Sequence, residues 1–206
     1  YPFTNLNVVK VKDIISKLRN GATAESICDA PADHIRYTPP GNRSVFFKEF
    51  LPGVAIAKLE KMTAAGVIEE IKKSELAGRG GAYYPTWKKW NASRLQPAQP
   101  KFVVCNADEG EPGTFKDRVL MNTQAQSLIE GMIICGYTIG AENGIIYLRG
   151  EYRWLLNKLE QAIKEYRHAG LLGKDCAHIK GFNFDIRIQM GAGSYVCGEE
   201  TALLES

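Results

Sequence analysis

No apolar run in this sequence approaches the ~18 residues that a membrane-spanning helix requires, so direct membrane insertion is not expected. Closely spaced cysteines are also missing. Cys28, Cys105, Cys135, Cys176 and Cys197 are scattered with no C-x-x-C pair, whereas zinc and iron–sulfur sites usually announce themselves through clustered ligands. An odd, scattered set fits a reducing cytoplasm better than a disulfide framework. Excess charge of one sign is lacking too. A net charge of +3 over 206 residues, without a Lys/Arg block, gives no reason to expect nucleic acid. His34, His168 and His178 stand isolated, which favours surface or structural roles. The start, Tyr1-Pro2-Phe3-Thr4, has neither Met nor a charged-then-apolar signal pattern, and with its abrupt end the sequence reads as a fragment.

What is present suits a soluble α/β domain with a real core. A hydrophobic content of 45% with mixed charges leaves room for one domain, or a domain with an arm. The densest signal is Gly78-Arg79-Gly80-Gly81-Ala82-Tyr83-Tyr84-Pro85, followed by the basic-aromatic tail Thr86 to Trp90. Glycines at this density leave backbone N–H groups free to converge on an anion. The stretch is neither G-x-G-x-x-G nor a P-loop, because Gly-Lys-Ser/Thr is absent. On its own it is read equally well as a phosphate site or as a plain glycine turn.

Residues 1–50 read as an arm or small subdomain, with a helical face at Val11, Ile14, Ile15 and Leu18 that Asn20-Gly21 stops. Pro31, Pro39, Pro40 and Gly41 punctuate a loop. Residues 51–206 read as the main domain. Val54 to Ile71 is expected to be mostly helical with a break at Gly66, and residues 91–100 a polar surface connection. Phe102 to Cys105 is a buried-type strand, Asp117 to Ala141 a long helix and Gly144 to Leu148 a second strand. Glu151 to His168 is an amphipathic helix, Phe184 to Met190 a third strand, and a helix starts at Glu199. Strand–helix–strand–helix–strand implies a largely parallel, Rossmann-like sheet flanked by helices.

Two of these strands run directly into polar, glycine-bearing loops, Asn106 to Thr114 and Gly191 to Glu200. Open parallel sheets place their ligands at such strand ends. An acidic cluster alone is ordinarily a solvated loop, and a Gly-Ala-Gly alone is ordinarily a turn. Two such loops together with the glycine stretch are harder to explain as three independent turns. Cys105 and Cys197, beside them, read as small buried fillers, and Trp90 as a packing residue behind the glycine loop.

Three motifs carry a resemblance. They are Gly78-Arg79-Gly80-Gly81-Ala82 with Pro85-Thr86 and Lys89-Trp90, Asn106-Ala107-Asp108-Glu109-Gly110-Glu111-Pro112-Gly113-Thr114-Phe115-Lys116-Asp117-Arg118, and Gly198-Glu199-Glu200-Thr201-Ala202-Leu203. With Arg149-Gly150-Glu151-Tyr152 they resemble the 51 kDa flavoprotein subunit of respiratory NADH dehydrogenase (complex I) and its relatives in NAD-linked hydrogenases and formate dehydrogenases. The likeness runs from about Pro52 to the end.

It implies an NADH:acceptor oxidoreductase (diaphorase) subunit in which a hydride passes between NAD(H) and bound FMN. Single electrons would then leave to iron–sulfur clusters in missing sequence or in partner subunits. By position, Gly78, Gly80 and Lys89 would hold the FMN phosphate and ribityl end. Asn106, Asp108 and Glu109 would bind the flavin and its ribityl hydroxyls, and Tyr195, Gly198 and Glu199 would border its ring. Glu111 and Glu200 would meet the dinucleotide, with Tyr84 stacking on its adenine. Carboxylates at ribose hydroxyls repel a 2′-phosphate, which favours NADH over NADPH. No side chain is expected to act as acid or base and no metal ligand is assigned. The implied location is cytoplasmic, peripheral to a membrane complex, or the mitochondrial matrix in a eukaryote.

The sequence departs from the family where Tyr83 and Trp87 replace glycines and where Ala92 replaces an aromatic. A positive φ at Tyr83 or Trp87 would cost about 1 kcal/mol or more. The alternative reading is therefore a non-catalytic structural or nucleotide-sensing relative whose pocket these two side chains alter. The sequence also stops before the family's flavin-site asparagine pair, its ubiquitin-like insert and its cluster-bearing helical domain.

Overall fold

A computed structural model describes residue 3, residues 6–29 and residues 50–206, in two compact units, Tyr1–Arg43 and Ser44–Ser206. The loop expected at Pro31, Pro39, Pro40 and Gly41, and His34, lie outside the described residues. In the first unit, α1 (Val8–Arg19) starts where the Asn7 side chain accepts from the Lys10 N–H, and it ends at Asn20, before Gly21 at φ +88°. α2 (Ala24–Ile27) is capped by Thr23, and a 2.8 Å ion pair joins Lys10 to Asp29. No α1 residue is buried.

The second unit is built on a parallel sheet in the order β1 (Phe102–Ala107), β2 (Asn143–Leu148), β3 (Asp185–Met190). Registers run from Phe102 opposite Asn143 to Ala107 opposite Leu148, and from Asn143 opposite Asp185 to Leu148 opposite Met190. Helices make the crossovers, as parallel pairing requires. They are α6 (Lys116–Thr123) and α7 (Ala125–Ile139) after β1, and α8 (Leu156–His168) after β2. α3 (Ile56–Leu59), α4 (Ala64–Lys73) and α5 (Thr86–Leu95) precede the sheet, and α9 (Glu200–Glu205) follows it. The expected three strands with helical crossovers are all present. Among the described residues, no helix is long and apolar enough to cross a membrane.

The core lies where α7 and α8 meet the sheet. Ile129 and Ile133 from α7, Ile146 and Leu148 from β2, Leu155 and Leu159 near α8, and Phe184 and Ile186 around β3 are all fully or nearly fully buried. Each such side chain contributes roughly 1.5–3 kcal/mol. Phe184 occupies space that only glycines leave open: a Cβ on Gly136 would sit 2.7 Å from its ring, and one on Gly144 would sit 2.9 Å away.

Four boundaries differ from the sequence expectations. The break before α4 is not at Gly66 but at Thr63, whose hydroxyl accepts the Gly66 N–H at 3.1 Å and so caps the helix that Gly66 lies in. The single helix expected over Asp117 to Ala141 is two, because Gln124 leaves helical geometry at φ −136°, ψ 39°. Residues 91–95 belong to α5 rather than to a surface connection. The segment expected to be α-helical from Glu151 begins as a 3-10 turn, Gly150–Leu155, with Tyr152 off helical geometry. That turn aims the Tyr152 hydroxyl back toward the loop after β1, where it meets Glu109.

Candidate functional site

The loops after β1 and β3 open at the same, carboxyl edge of the sheet, and Arg79, Gly80 and Gly81 of the glycine loop line one cleft with them. The cleft has a volume of about 1010 Å³. The glycine loop is pinched at its base by an antiparallel bridge between Ala77 and Pro85, with the Gly78 N–H donating to the Tyr84 carbonyl at 2.9 Å. Gly78 therefore shapes the loop from its base, while Gly80 and Gly81 line the cleft. Gly81 has φ +124°, where an L side chain would be strained.

Of the residues expected at the site, Gly80, Asn106, Asp108, Glu109, Glu111, Tyr195, Gly198 and Glu199 line this cleft. Gly78, Tyr84, Lys89 and Glu200 do not. Lys89, on α5, instead pairs with Glu200 at the start of α9, at 3.0 Å with both side chains exposed. Tyr84 is exposed. Sequence reasoning gave no role to Arg79, Lys116 or Thr114, which also line it. All three sat inside recognised motifs, but nothing local marked which side chains of those motifs would face inward.

The cleft residues fall into groups by what their polar atoms do. Asn106 stitches the two strand-end loops together, donating from Nδ2 to the Gly198 carbonyl at 2.8 Å and accepting the Asp108 N–H at 3.2 Å. Glu199 turns inward on its own helix, accepting the Ala202 N–H at 3.0 Å and the Thr201 hydroxyl at 3.0 Å. The Ala202 N–H holds its carboxyl below the usual carboxylate range. Glu111 accepts a short hydrogen bond from the Tyr195 hydroxyl, which raises the tyrosine's pKa. Glu109 is buried. Asp108 alone has both carboxylate oxygens buried without a partner among the described residues. Burial pushes its carboxyl above the usual range, against the opposing pull of Arg149. Gly198 packs against it so closely that a Cβ there would lie 3.0 Å from the Asp108 carbonyl oxygen.

The two departures from the family resolve differently. Tyr83 does adopt positive φ, +51°, with its ring exposed and the Arg79 guanidinium 5.0 Å from its centroid. Trp87 lies on α5, where Lys72 and Lys88 flank its ring at 5.0 and 5.6 Å. Neither side chain lines the cleft. Cys197 is buried beside Tyr147 and Leu203 as a filler, and Trp90 packs against the main core.

Known proteins share this architecture. In the crystal structure of an NAD+-reducing [NiFe]-hydrogenase in the H2-reduced state, one chain superposes with a TM-score of 0.83 at 32% identity, over 99% of this chain and 34% of that one. The alpha subunit of the NAD-reducing hydrogenase HoxS of Cupriavidus necator is 44% identical over 99% of this chain and 36% of its own length. A subunit of the NADH-quinone oxidoreductase of Rhizobium meliloti is 49% identical over 72% of this chain and 35% of its own length. The chain thus spans about a third of the length of the curated relatives it matches. Residues 71–206, which carry the whole sheet and all three cleft loops, match the family model described as the Nuo51 FMN-binding domain, and the chain belongs to that family.

Proposed function

We propose that the cleft binds FMN and lays NAD(H) against it, as part of an NADH:acceptor oxidoreductase whose electrons pass singly to iron–sulfur clusters outside this chain. Bound FMN supplies the chemistry, accepting two electrons as hydride and releasing them one at a time. The task of the protein is to bind and align two planar rings, so no acid or base is required.

The residues present fit that cofactor. The unpartnered Asp108 carboxylate is the observation that carries this reading: a buried acceptor pair beside an open cleft is costly unless a ligand's donors complete it, and ribityl hydroxyls are such donors. The close approach of Gly198 leaves a flat wall beside Asp108 where a side chain would intrude. Tyr195 adds an aromatic face. Gly80 and Gly81 with Arg79 offer backbone donors and a cation for a phosphate, and Lys116, paired with Asp117 at 2.7 Å, adds a second cation to the lining.

Lys89 remains available for the phosphate role. Its exposed pair with Glu200 is worth only about 0–1 kcal/mol and yields readily to a doubly charged phosphate. Glu111 and, once released, Glu200 are then free to accept from nicotinamide amide or ribose hydroxyls. The rejection of a 2′-phosphate expected from Glu200 is muted wherever Lys89 keeps it neutralised.

The test is the visible spectrum and NADH–ferricyanide activity of the complete polypeptide, which should carry one FMN. A well-folded complete protein that takes up no flavin when FMN is added would sink the proposal.

A further inference from the structure

The Arg149-Gly150-Glu151-Tyr152 motif after β2 does not line the cleft, yet its side chains converge on the loop that does. The Glu109 side chain is only 1% exposed. One oxygen accepts the Tyr152 hydroxyl at 2.7 Å in a buried contact, and the other accepts the Asp117 N–H at 2.8 Å at the start of α6. Arg118 comes within 3.6 Å of the same carboxylate and donates to the Thr114 carbonyl at 2.5 Å. Arg149 donates to the Glu109 carbonyl oxygen, and its other two nitrogens fork onto Glu151 at 2.9 and 3.0 Å. Both guanidinium groups lie 5.6 Å from the centre of the Tyr152 ring. Glu109 is thus held at carboxylate and carbonyl together, with both carboxylate oxygens already engaged within the protein.

We propose that Tyr152 and Arg149 are positioning residues for this cleft: they make Glu109 a buried strut that holds its neighbour Asp108 in place to meet a ligand. The inference rests on reading the cleft as a flavin site. It gives Glu109, which the family resemblance assigns to the cofactor, a structural means of acting there. Burial and the Glu109 bond push the Tyr152 hydroxyl up to about 12, so it stays a donor across the physiological range. Arg118, 3.6 Å away, balances the carboxylate, while the charge of Arg149 is paired with Glu151. A buried anion with one hydrogen-bonding partner deleted does not stay where it was, because hydrogen bonds to charged groups are among the strongest local restraints.

The test uses the complete polypeptide in its complex. Tyr152→Phe keeps the ring and removes only the strut's hydroxyl, and Arg149→Lys keeps the charge but cannot both fork Glu151 and reach Glu109. Both should still bind FMN, with affinity lowered about tenfold and the KM for NADH changed less than about twofold. As Asp108 drifts from the bound cofactor, its negative field there would weaken, so reduced flavin gains over oxidised flavin by about tenfold. For a two-electron couple that raises the midpoint potential by about 30 mV. Ile163→Val, a core change in α8, should lower thermal stability and leave the potential where it is. If Tyr152→Phe does not accumulate, Arg149→Lys decides. Wild-type flavin affinity and potential in the variants overturn the inference alone; a wild-type protein that takes up no flavin overturns the reading of the cleft beneath it.

Discussion

Replacing Asp108 by Asn should make the flavin-free protein more stable and the flavin complex weaker. Both oxygens of Asp108 are buried without partners among the described residues, and burial already raises its carboxyl pKa. An unsatisfied buried group costs roughly 1–3 kcal/mol, more when charged. An amide in the same place keeps unpaired donors but sheds the charge, so a gain of about 1 kcal/mol is expected. For a domain of this size that raises Tm by about 2–4 °C.

Flavin binding should suffer in return. The loss of charge-assisted hydrogen bonds worth roughly 1.5–3 kcal/mol lowers FMN affinity about 10–100-fold. The pH dependence separates this from a generic packing effect. Because the folded pKa lies above the unfolded one, near ~4, the folded protein retains a proton that the unfolded chain has released. Its stabilising contribution is full below the unfolded value and is lost as pH rises through the folded value. The flavin-free wild type should therefore lose stability on that rise, while Asp108→Asn gives a flatter profile. Calorimetry of the flavin-free complete chain and FMN titration measure the two halves. A lower Tm in the variant, or an unchanged FMN affinity, would refute the reasoning.

The remaining predictions concern the loops and one helix. Lys89→Met should weaken FMN binding about tenfold or more with little change in Tm, because its pair with Glu200 is exposed; equilibrium dialysis of FMN measures it. The same variant should raise discrimination against NADPH, read as the ratio of kcat/KM values, because Glu200 is then unneutralised. Gly81→Ala should destabilise by more than ~1 kcal/mol, since φ +124° strains an L side chain, whereas Tyr83→Gly should stay within about 1 kcal/mol of wild type; paired melts compare them. Thr63→Ala removes the cap on α4 and should cost about 1 kcal/mol by denaturant titration.

Much of this protein was legible in its sequence because the determinants are local. Alternation and apolar runs marked all three strands, and glycine at Gly21 marked the end of α1. The polar strand-end loops located the cleft before any contact was known, since a parallel sheet opens its ligand edge at its carboxyl ends. The long motifs identified the family.

Local pattern failed where the deciding partner was distant or small. Gly66 looked like a helix break because glycine is a weak helix former, but the Thr63 hydroxyl sets the boundary. No apolar periodicity flagged the break at Gln124. Tyr83 and Trp87 looked equivalent as replacements for glycine, and only the backbone separated them, one at positive φ in a loop and one within a helix.

The sequence by itself determined the sheet, its helical crossovers and the family, because hydrophobic period and contiguous motifs are written in neighbouring residues. The tertiary structure alone decided which motif side chains face the cleft and which hold it up. Asp108 and Glu109 are adjacent acidic residues with nothing local to distinguish them. One is left unpartnered beside the cleft, and the other is captured by Tyr152, 43 positions along the chain. That division depends on contacts that exist only once β1 and β2 have paired and brought the 3-10 turn beneath the loop.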